Sequence, residues 1–292
     1  MSSSPPSSSA MGSQLEALLS PVVLLRAFYL AASLLIIVIQ ATPALRRRFL
    51  AYGSRATAPS GQPSAAATQP FVSQALDYAA AIQVPHNWFT HFYLLSTVCS
   101  LFWAWRLHIW SAHGRLQLVW ALMLLQGVRR ALESNAYTSA STSRMWFAHW
   151  LLGLLFYLTV NVAIWIEVPA KSASTWSSTT LVLAVLTAHV LQHSYHAYLY
   201  HLRSGNKGYQ LPAHPIFTNL LCPHYTCETA IYLFLSFLGA PAGKAVSWTL
   251  ICATVFVAVN LGVTAIGTKN WYMEKFGKDK VGPRKRMVPG IW

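Results

Sequence analysis

The sequence has 292 residues, of which 54% are hydrophobic and only 10% are charged, and its mean hydropathy is +0.40. Soluble domains carry about 25% charged residues, so this composition excludes an ordinary soluble or disordered protein and favours a membrane protein. The net charge of +14 would suit a nucleic-acid groove if the cations formed one patch, but they lie in short groups between long apolar runs. Nucleic-acid binding is therefore excluded as well.

Seven apolar runs are long enough, or nearly so, to cross a bilayer core of about 30 Å as helices. These predicted spans are 22–41, 88–108, 116–128, 145–166, 179–200, 226–240 and 245–267. The predicted fold class is all-α: a polytopic membrane protein of about seven transmembrane helices. The first run is longer than the core of a signal peptide and is followed by three arginines, Arg46 to Arg48, so we interpret it as a retained anchor.

The spans divide the chain into four predicted parts. Residues 1–20, rich in Ser and Pro, are expected to be a disordered tail, and 21–45 form the first transmembrane anchor. Residues 46–83 are expected to be a cytosolic loop, disordered over 56–69. Residues 84–292 form the main membrane domain, with spans two to seven and a basic C-terminal tail.

Lysine and arginine are distributed unevenly between the loops. If the N-terminus is lumenal, 16 of the 21 basic residues follow spans one, three, five and seven. Because cytosolic loops carry an excess of Lys and Arg, this distribution predicts a cytosolic C-terminus. An arrangement with five or six spans and similar charges remains an alternative.

Polar side chains near the cytosolic ends of the spans are candidate site residues, because such groups are costly inside a membrane. On the third span, Gln126, Arg129, Arg130 and Glu133 share one helix face. Two interpretations of this face remain open. It is either an ion pair at a helix end, or a site where the arginines hold a phosphate while Glu133 orients one of them.

The fifth and sixth spans carry similar groups. Gln192 and His196 share a face of the fifth span, with Arg203 two turns beyond, and Glu228 is the only acid between residues 211 and 260. We expect all these groups to line one cavity that opens to the cytosol. A positively charged cavity of this kind suits an anionic cytosolic cofactor.

Several common site types are not supported. The motifs G-x-G-x-x-G, G-x-x-x-x-G-K-[ST] and G-x-S-x-G are missing, which argues against a Rossmann domain, a P-loop and a serine hydrolase. His189, His193 and His196 have spacings that can ligate a metal, but no second histidine box or paired carboxylate completes a site, so no metal is predicted. The four cysteines form no C-x-x-C pair and are expected to be reduced and buried: Cys99, Cys222, Cys227 and Cys252.

The segment 84–93, VPHNWFTHFY, combines histidines with aromatic residues where the second span begins. One interpretation is an aromatic belt at the membrane interface. The other is that His91 or Tyr93 faces a substrate as an acid.

Taken together, these motifs resemble the steroid 5α-reductase family, and within it the branch of polyprenol/polyprenal reductases. The segment 84–96 is similar to that branch's signature, and Arg129-Arg130-x-x-Glu133 is similar to an element of related enoyl-CoA reductases. The segment 217–232, FTNLLCPHYTCETAIY, resembles the family's Pro-Asn-Tyr-x-x-Glu block. The family's closing pattern corresponds to Asn260, Trp271, Tyr272, Phe276, Arg284, Lys285 and Pro289.

The chain departs from the family at several positions. His224 stands where the block usually has Asn, and Lys269 replaces a common His. Steroid-specific members place a Glu near His91 and a Tyr near Gly127, and this chain has neither. The resemblance therefore favours a polyprenyl substrate over a steroid.

The resemblance implies an NADPH-dependent reductase of the endoplasmic reticulum membrane. It would reduce the α-isoprene double bond of polyprenal or polyprenol, giving dolichal or dolichol for protein N-glycosylation. Alternatives are reduction of a 3-oxo-Δ4-steroid or a trans-2-enoyl-CoA, a lipid-binding or scaffolding protein with a degenerate site, and methyl transfer from S-adenosylmethionine. The expected partners are the polyprenyl lipid and membrane lipids, with no nucleic acid and no obligate protein partner.

The resemblance also implies roles for individual residues. His91 is the first candidate for the proton donor, Tyr93 the second, and Glu133, acting through water, the third. The residues expected to hold the phosphates of NADPH are Arg130, Arg203 and Lys269. Those expected to position the nicotinamide and riboses are Gln192, His196, His224, Tyr225, Glu228, Asn260 and Tyr272.

Overall fold

The computed structural model describes residues 19–50, 71–111, 114–137, 143–167, 178–205 and 208–292. Within these ranges the α-helices are α1 Pro21–Ala41, α2 Pro43–Phe49, α3 Phe71–Ala81, α4 Phe89–Leu107, α5 Arg115–Ala136, α6 Phe147–Ile166, α7 Ser178–Ser204, α8 Pro223–Leu238, α9 Trp248–Phe276 and α10 Lys278–Val281. Two short strands, β1 Gln83–Pro85 and β2 Arg144–Trp146, pair antiparallel. The predicted disordered segments 1–20 and 56–69 lie outside the described residues, except for Leu19 and Ser20.

The seven long helices α1 and α4 to α9 correspond in position to the seven predicted spans. Three of them, α1, α6 and α9, are long and apolar enough to cross a membrane. Of the others, α8 has only 16 residues, and α5 and α7 carry polar side chains that lower their hydropathy. The prediction of an all-α membrane protein is confirmed, and the count of seven crossings stays a prediction.

Local signals set several helix ends. The hydroxyl of Ser20 accepts a hydrogen bond from the backbone N–H of Val23 and so caps the start of α1. Helix α2 follows α1 after a single residue and begins at Pro43. The hydroxyl of Ser247 caps α9 in the same way. That helix ends at Gly277, whose φ of +92° suits glycine.

The long helices pack as a closed ring. In order of contact, α1 packs on α9, α9 on α8, α8 on α7, α7 on α5, α5 on α4, and α4 on α6. Helix α6 closes the ring because it also contacts α9 and α1. At the centre, the ring of Phe156 lies 5.5 Å from that of Tyr232, 5.1 Å from Phe256 and 6.2 Å from Tyr29. This aromatic cluster fills the middle of the bundle.

Helix α1 has two contrasting faces. Tyr29, Ala32, Ser33, Ile36 and Ile39 are buried against the bundle at helical spacing. The opposite face exposes large aliphatic side chains, and Leu34 and Leu35 are 62% and 57% accessible. Such a continuous apolar face is what a helix presents to lipid chains.

At the end of α6, Glu167 ties three helices together. Its carboxylate accepts hydrogen bonds from Arg26 of α1, from the Ser247 hydroxyl at 3.2 Å and from the backbone N–H of Thr249 at 3.0 Å. Burial alone would raise the pKa of this carboxyl, but the hydrogen bonds from Thr249 and the charge of Arg26 lower it below its usual value. The opposite end of the bundle is left open.

Candidate active site

A cavity of about 900 Å³ occupies the open end of the bundle. Residues from each of the helices α4 to α9 line it. Part of its lining is apolar, with Phe92, Leu152, Phe156 and Phe256, and the rest consists of charged, amide and aromatic groups. A volume of this size and mixed chemistry suits one extended ligand with a polar and an apolar portion, or two ligands that meet.

Two glycines allow α4 to lie close to its neighbours. A Cβ atom added at Gly127 of α5 would come within 2.9 Å of the Thr97 hydroxyl, and one at Gly153 of α6 would come within 2.6 Å of the Phe92 ring. A side chain at either position would require the contacting residue of α4 to shift. The close packing brings Tyr93 of α4 next to the arginines of α5.

Glu133 lies at the centre of a charged cluster. It is only 4% exposed, and it accepts hydrogen bonds from Arg129 and Arg130, while the Nδ1 atoms of His193 and His196 each lie 2.8 Å from one of its oxygens. The ion pairs of the first interpretation are therefore present. Each oxygen of Glu133 has two partners, one of them an arginine, and this geometry fits a carboxylate that orients the arginines.

Arg130 connects this cluster to Tyr93. Its guanidinium donates a hydrogen bond of 2.8 Å to the Tyr93 hydroxyl and lies 4.7 Å from the centre of the Tyr93 ring. Because the phenol oxygen accepts this bond, its own proton remains available to a ligand in the cavity. The cation also stabilises the phenolate that would remain after proton transfer. This pair has the geometry of a general acid with a fixed counter-ion.

A second network of buried amides surrounds Glu228. Nε2 of Gln126 donates to both of its oxygens, at 2.9 and 2.8 Å, and Nε2 of Gln192 donates to one of them at 2.5 Å. Arg129 donates to the carbonyl oxygens of both amides and also to Nδ1 of His189. Arg129 therefore fixes which way both amides point, with their N–H groups toward Glu228.

His224 is a partly buried residue that lines the cavity. Its ring stacks on Tyr195 with centroids 5.3 Å apart and contacts Tyr225 at 4.2 Å. Its Nδ1 atom is buried without a hydrogen-bond partner among the described residues. A ligand that offers a hydrogen bond in the cavity could satisfy this atom.

The mouth of the cavity combines aromatic rings with cations. The rings of Tyr209 and Trp271 contact edge to face at 4.9 Å. Lys275 lies 5.0 and 5.3 Å from the two ring centres, and the guanidinium of Arg203 lies 5.5 Å from that of Tyr209. Flat rings beside positive charges suit a ligand with an aromatic base and phosphates. Together with the unsatisfied nitrogen of His224, they fit a nicotinamide dinucleotide.

The structure brings most of the predicted site residues together. Eleven line the cavity: Tyr93, Arg130, Glu133, Gln192, His196, Arg203, His224, Tyr225, Glu228, Asn260 and Tyr272. Their individual roles stay predictions. The other two, His91 and Lys269, lie elsewhere.

His91 is exposed on the outer surface of α4 and does not line the cavity. Its ring lies 5.1 Å from that of Trp88 and 6.1 Å from that of Trp150. The reason is helical geometry, because the inward face of α4 carries Phe92 and Tyr93, and His91 lies on the side away from it. This location fits the aromatic-belt interpretation. Tyr93 therefore replaces His91 as the first candidate for the acid.

Lys269 does not line the cavity either. Its ammonium group donates to the backbone carbonyl of Gly282 at 2.7 Å and to that of Arg284 at 2.6 Å. Arg284 in turn donates to the carbonyls of Pro212 and Leu220. Lys269 therefore holds the C-terminal segment against α9, and its ammonium group binds backbone carbonyls of the protein itself.

Sequence reasoning missed several groups around the site. Tyr157 and Trp271 line the cavity, and neither was expected there in a catalytic or binding role. Arg129 was expected to pair with Glu133 or to hold a phosphate, but its contacts with Gln192 and His189, which join α5 to α7, were not predicted. Tyr157 lies within an apolar run that gives no local sign of its orientation.

The histidine pattern on α7 has no metal-binding geometry in the described part of the chain. No group of three or more His, Cys, Asp or Glu residues there is placed to hold a metal ion. His193 and His196 lie instead against Glu133, and His189 accepts a hydrogen bond from Arg129. The spacing of the three histidines serves contacts between helices.

Comparison with known proteins identifies relatives over most of the chain. A polyprenal reductase of Saccharomyces cerevisiae is 28% identical over 212 residues, which are 72% of this chain and 76% of the relative. Polyprenal reductase 1 of Arabidopsis thaliana is 27% identical over 250 residues, covering 66% of this chain and 77% of the relative. A polyprenal reductase of Xenopus laevis is 24% identical over 253 residues, covering 72% and 78%.

The C-terminal half of the chain identifies the family. Residues 142–292, just over half of the chain, match the family described as 3-oxo-5-alpha-steroid 4-dehydrogenase. This match includes α7, α8 and α9, which supply Gln192, His196, His224, Glu228 and Tyr272 to the cavity. The resemblance drawn from the sequence is confirmed, and the chain belongs to the 3-oxo-5-alpha-steroid 4-dehydrogenase family, the steroid 5α-reductases.

Proposed function

We propose that this protein is a membrane oxidoreductase that uses NADPH to reduce the α-isoprene double bond of polyprenal, giving dolichal for protein N-glycosylation. The observation that carries the proposal is the Arg130–Tyr93 pair, in a cavity whose lining combines apolar side chains with charged and amide groups. The similarity to polyprenal reductases from yeast, a plant and a vertebrate supports this substrate.

The location of the cavity suits both reactants. A polyprenyl chain cannot leave the bilayer, because each CH₂ transferred to water costs about 0.8 kcal/mol. Its head group must therefore be met by a site inside a membrane protein. NADPH is anionic and comes from water, so it requires an opening with positive charge. We place this opening on the cytosolic side of the endoplasmic reticulum membrane, with seven spans and a cytosolic C-terminus, because the basic residues cluster at that end.

The chemistry favours the aldehyde form of the substrate. A bound nicotinamide would supply a hydride to the β-carbon of the enal. The carbonyl oxygen accepts the charge that develops on reduction, which an isolated allylic alcohol cannot do. Tyr93 donates its proton to that oxygen, with Arg130 stabilising the phenolate. When the enol returns to the aldehyde, its O–H proton passes through the phenolate to the α-carbon, and a proton from solvent then restores Tyr93.

Other residues of the cavity hold and orient the reactants. Arg203 lies at the mouth, where it suits a phosphate, and His224 and Tyr225 lie further in, where they suit the nicotinamide and its ribose. Glu133 keeps Arg130 aimed at Tyr93. The aromatic inner wall excludes water from the reacting carbons.

The proposal is tested by analysing products from purified protein. Polyprenal, polyprenol, a 3-oxo-Δ4-steroid and a long trans-2-enoyl-CoA are offered separately, each with NADPH and with NADH, and products are identified by mass spectrometry. We expect dolichal from polyprenal with NADPH, and little product from the other pairs. Reduction of the steroid or the enoyl-CoA without reduction of polyprenal would overturn the substrate assignment. Failure to bind NADPH in a titration would support a non-catalytic role.

Exchanging Glu228 for glutamine is expected to weaken NADPH binding about tenfold while the protein still accumulates. The amides of Gln126 and Gln192 both point N–H groups at this carboxylate, and Arg129 prevents them from turning. An amide at position 228 would place an N–H group against one of these donors. Fluorescence titration with NADPH measures the effect, and wild-type affinity in Glu228→Gln would remove Glu228 from the cofactor site.

A further inference from the structure

A second, smaller pocket lies beside the main cavity, where the end of α1, helix α2 and the C-terminal half of α9 meet. Its volume is about 200 Å³. The polar groups that line this pocket and not the main cavity are Arg46 and Arg47 of α2, Gln40 of α1, and Asn270 and Glu274 of α9. The proposed reduction does not use any of these residues.

The two arginines of this pocket are exposed and make no ion pair within the described part of the chain. Their neighbour Arg48 differs, because it pairs with Asp77 at 2.5 Å. The whole chain has only seven acidic residues, and only Glu274 lines this pocket. Among the described residues, two arginines face one acid here, so the pocket carries net positive charge.

The height of this pocket relative to a membrane follows from α1. This helix has 21 residues, which at 1.5 Å per residue gives a length of about 31 Å, close to the thickness of a bilayer core. Its lipid-facing side continues to Ile37 and Val38, which are both exposed. Arg46 and Arg47 follow within about two turns, which places them at the level of lipid phosphates.

We propose that this pocket binds the phosphate group of an anionic phospholipid from the adjoining leaflet. Guanidinium groups bind phosphate oxygens in a bidentate manner, and basic pockets between membrane helices take anionic head groups. The amides of Gln40 and Asn270 suit the ester oxygens, while Leu50 and Val263 offer apolar contact to the first carbons of the chains. The inference rests on the membrane location of α1 and is independent of the reaction proposed above.

The bound lipid would have a consequence for the main cavity, because the two share a wall. His149, Asn260, Thr264 and Trp271 line both. A phosphate held between α2 and α9 would fix the position of that wall. We therefore expect turnover to rise with the fraction of anionic lipid in the membrane.

The test uses the full-length chain in nanodiscs of phosphatidylcholine, with or without phosphatidylglycerol. Native mass spectrometry counts the lipids that remain bound, and turnover is measured on the same samples. The wild type should retain one phosphatidylglycerol, and R46Q/R47Q should retain about tenfold less of this lipid than the wild type. R46K/R47K should retain an intermediate amount, because lysine keeps the charge without the planar fork.

The matched control is K278Q/K280Q, which removes the same charge from exposed positions of α10 that line neither pocket. Its retention should stay within about twofold of the wild type. Equal losses in the two double variants would overturn the proposal, because they would indicate diffuse attraction to the membrane surface. Displacement of the lipid by millimolar glycerol 3-phosphate would overturn it as well, because the ligand would then be a soluble phosphate.

Discussion

Exchanging Tyr93 for phenylalanine is expected to lower the turnover of polyprenal by a factor of about 10² to 10⁴, the usual contribution of a general acid. The exchange removes only the hydroxyl, which accepts a hydrogen bond from Arg130 and, in the proposed reaction, gives its proton to the substrate oxygen. The ring keeps its contact with Tyr157, at a centroid distance of 5.6 Å. Single-turnover reduction of polyprenal measures the loss, and the affinity for NADPH should stay within about threefold.

His91→Phe is the matched control for this prediction. The two side chains are two positions apart on α4, but His91 lies outside the cavity against Trp88 and Trp150. A phenylalanine there preserves the aromatic contacts, so turnover should stay within about threefold of the wild type. A large loss in His91→Phe with normal turnover in Tyr93→Phe would reverse the assignment. Normal turnover in both variants would point to Tyr157, which also lines the cavity.

The contrast between His91 and Tyr93 marks the limit of what the sequence could predict here. Both residues can donate a proton, and both occur in the same segment, VPHNWFTHFY. Which one faces inward depends on how α4 is rotated against α5 and α6. That rotation is set by close contacts at Gly127 and Gly153, which are distant from the segment in sequence.

Features that depend on helical periodicity were predictable. Gln126, Arg129, Arg130 and Glu133 recur at three- and four-residue spacing, so they had to share one side of α5 wherever the helix packed. The positions of the seven long helices were predictable for a second local reason, because an apolar run of about 20 residues is what a membrane-spanning helix requires.

Features that depend on contacts between distant segments were not predictable. Arg129 bonds the amide of Gln192, which lies 63 positions later, and nothing in either helix specifies that partner. Lys269 was expected near phosphates because it replaces a family histidine. Its two carbonyl partners, on Gly282 and Arg284, are brought to it only by the return of the chain after α9. A cation's sequence context does not show whether its charge is already used within the fold.

Replacing Glu133 by glutamine is expected to reduce the stability of the fold as well as activity. Glu133 is buried and is the only carboxylate paired with Arg129 and Arg130 in the described part of the chain. Removing one partner from a buried ion pair typically costs about 3–5 kcal/mol, because the remaining charge is left without compensation. Thermal unfolding in detergent should show a clear decrease in melting temperature. Asp279→Asn, an exposed acid on α10, should leave it unchanged.

A double-mutant cycle separates this ion-pair effect from simple misfolding. If Glu133 acts by compensating the arginines, then Glu133→Gln combined with Arg129→Gln should cost less than the sum of the two single changes, by at least about 1 kcal/mol. Additive losses would contradict the ion-pair account of Glu133. The double variant should still have low turnover, for two reasons. Without Arg129, the amides of Gln126 and Gln192 lose the group that orients them. Without Glu133, Arg130 loses the carboxylate that directs it toward Tyr93. If the double variant regains stability but not turnover, Glu133 has two separate effects. It stabilises the fold, and it positions Arg130 beside the acid Tyr93.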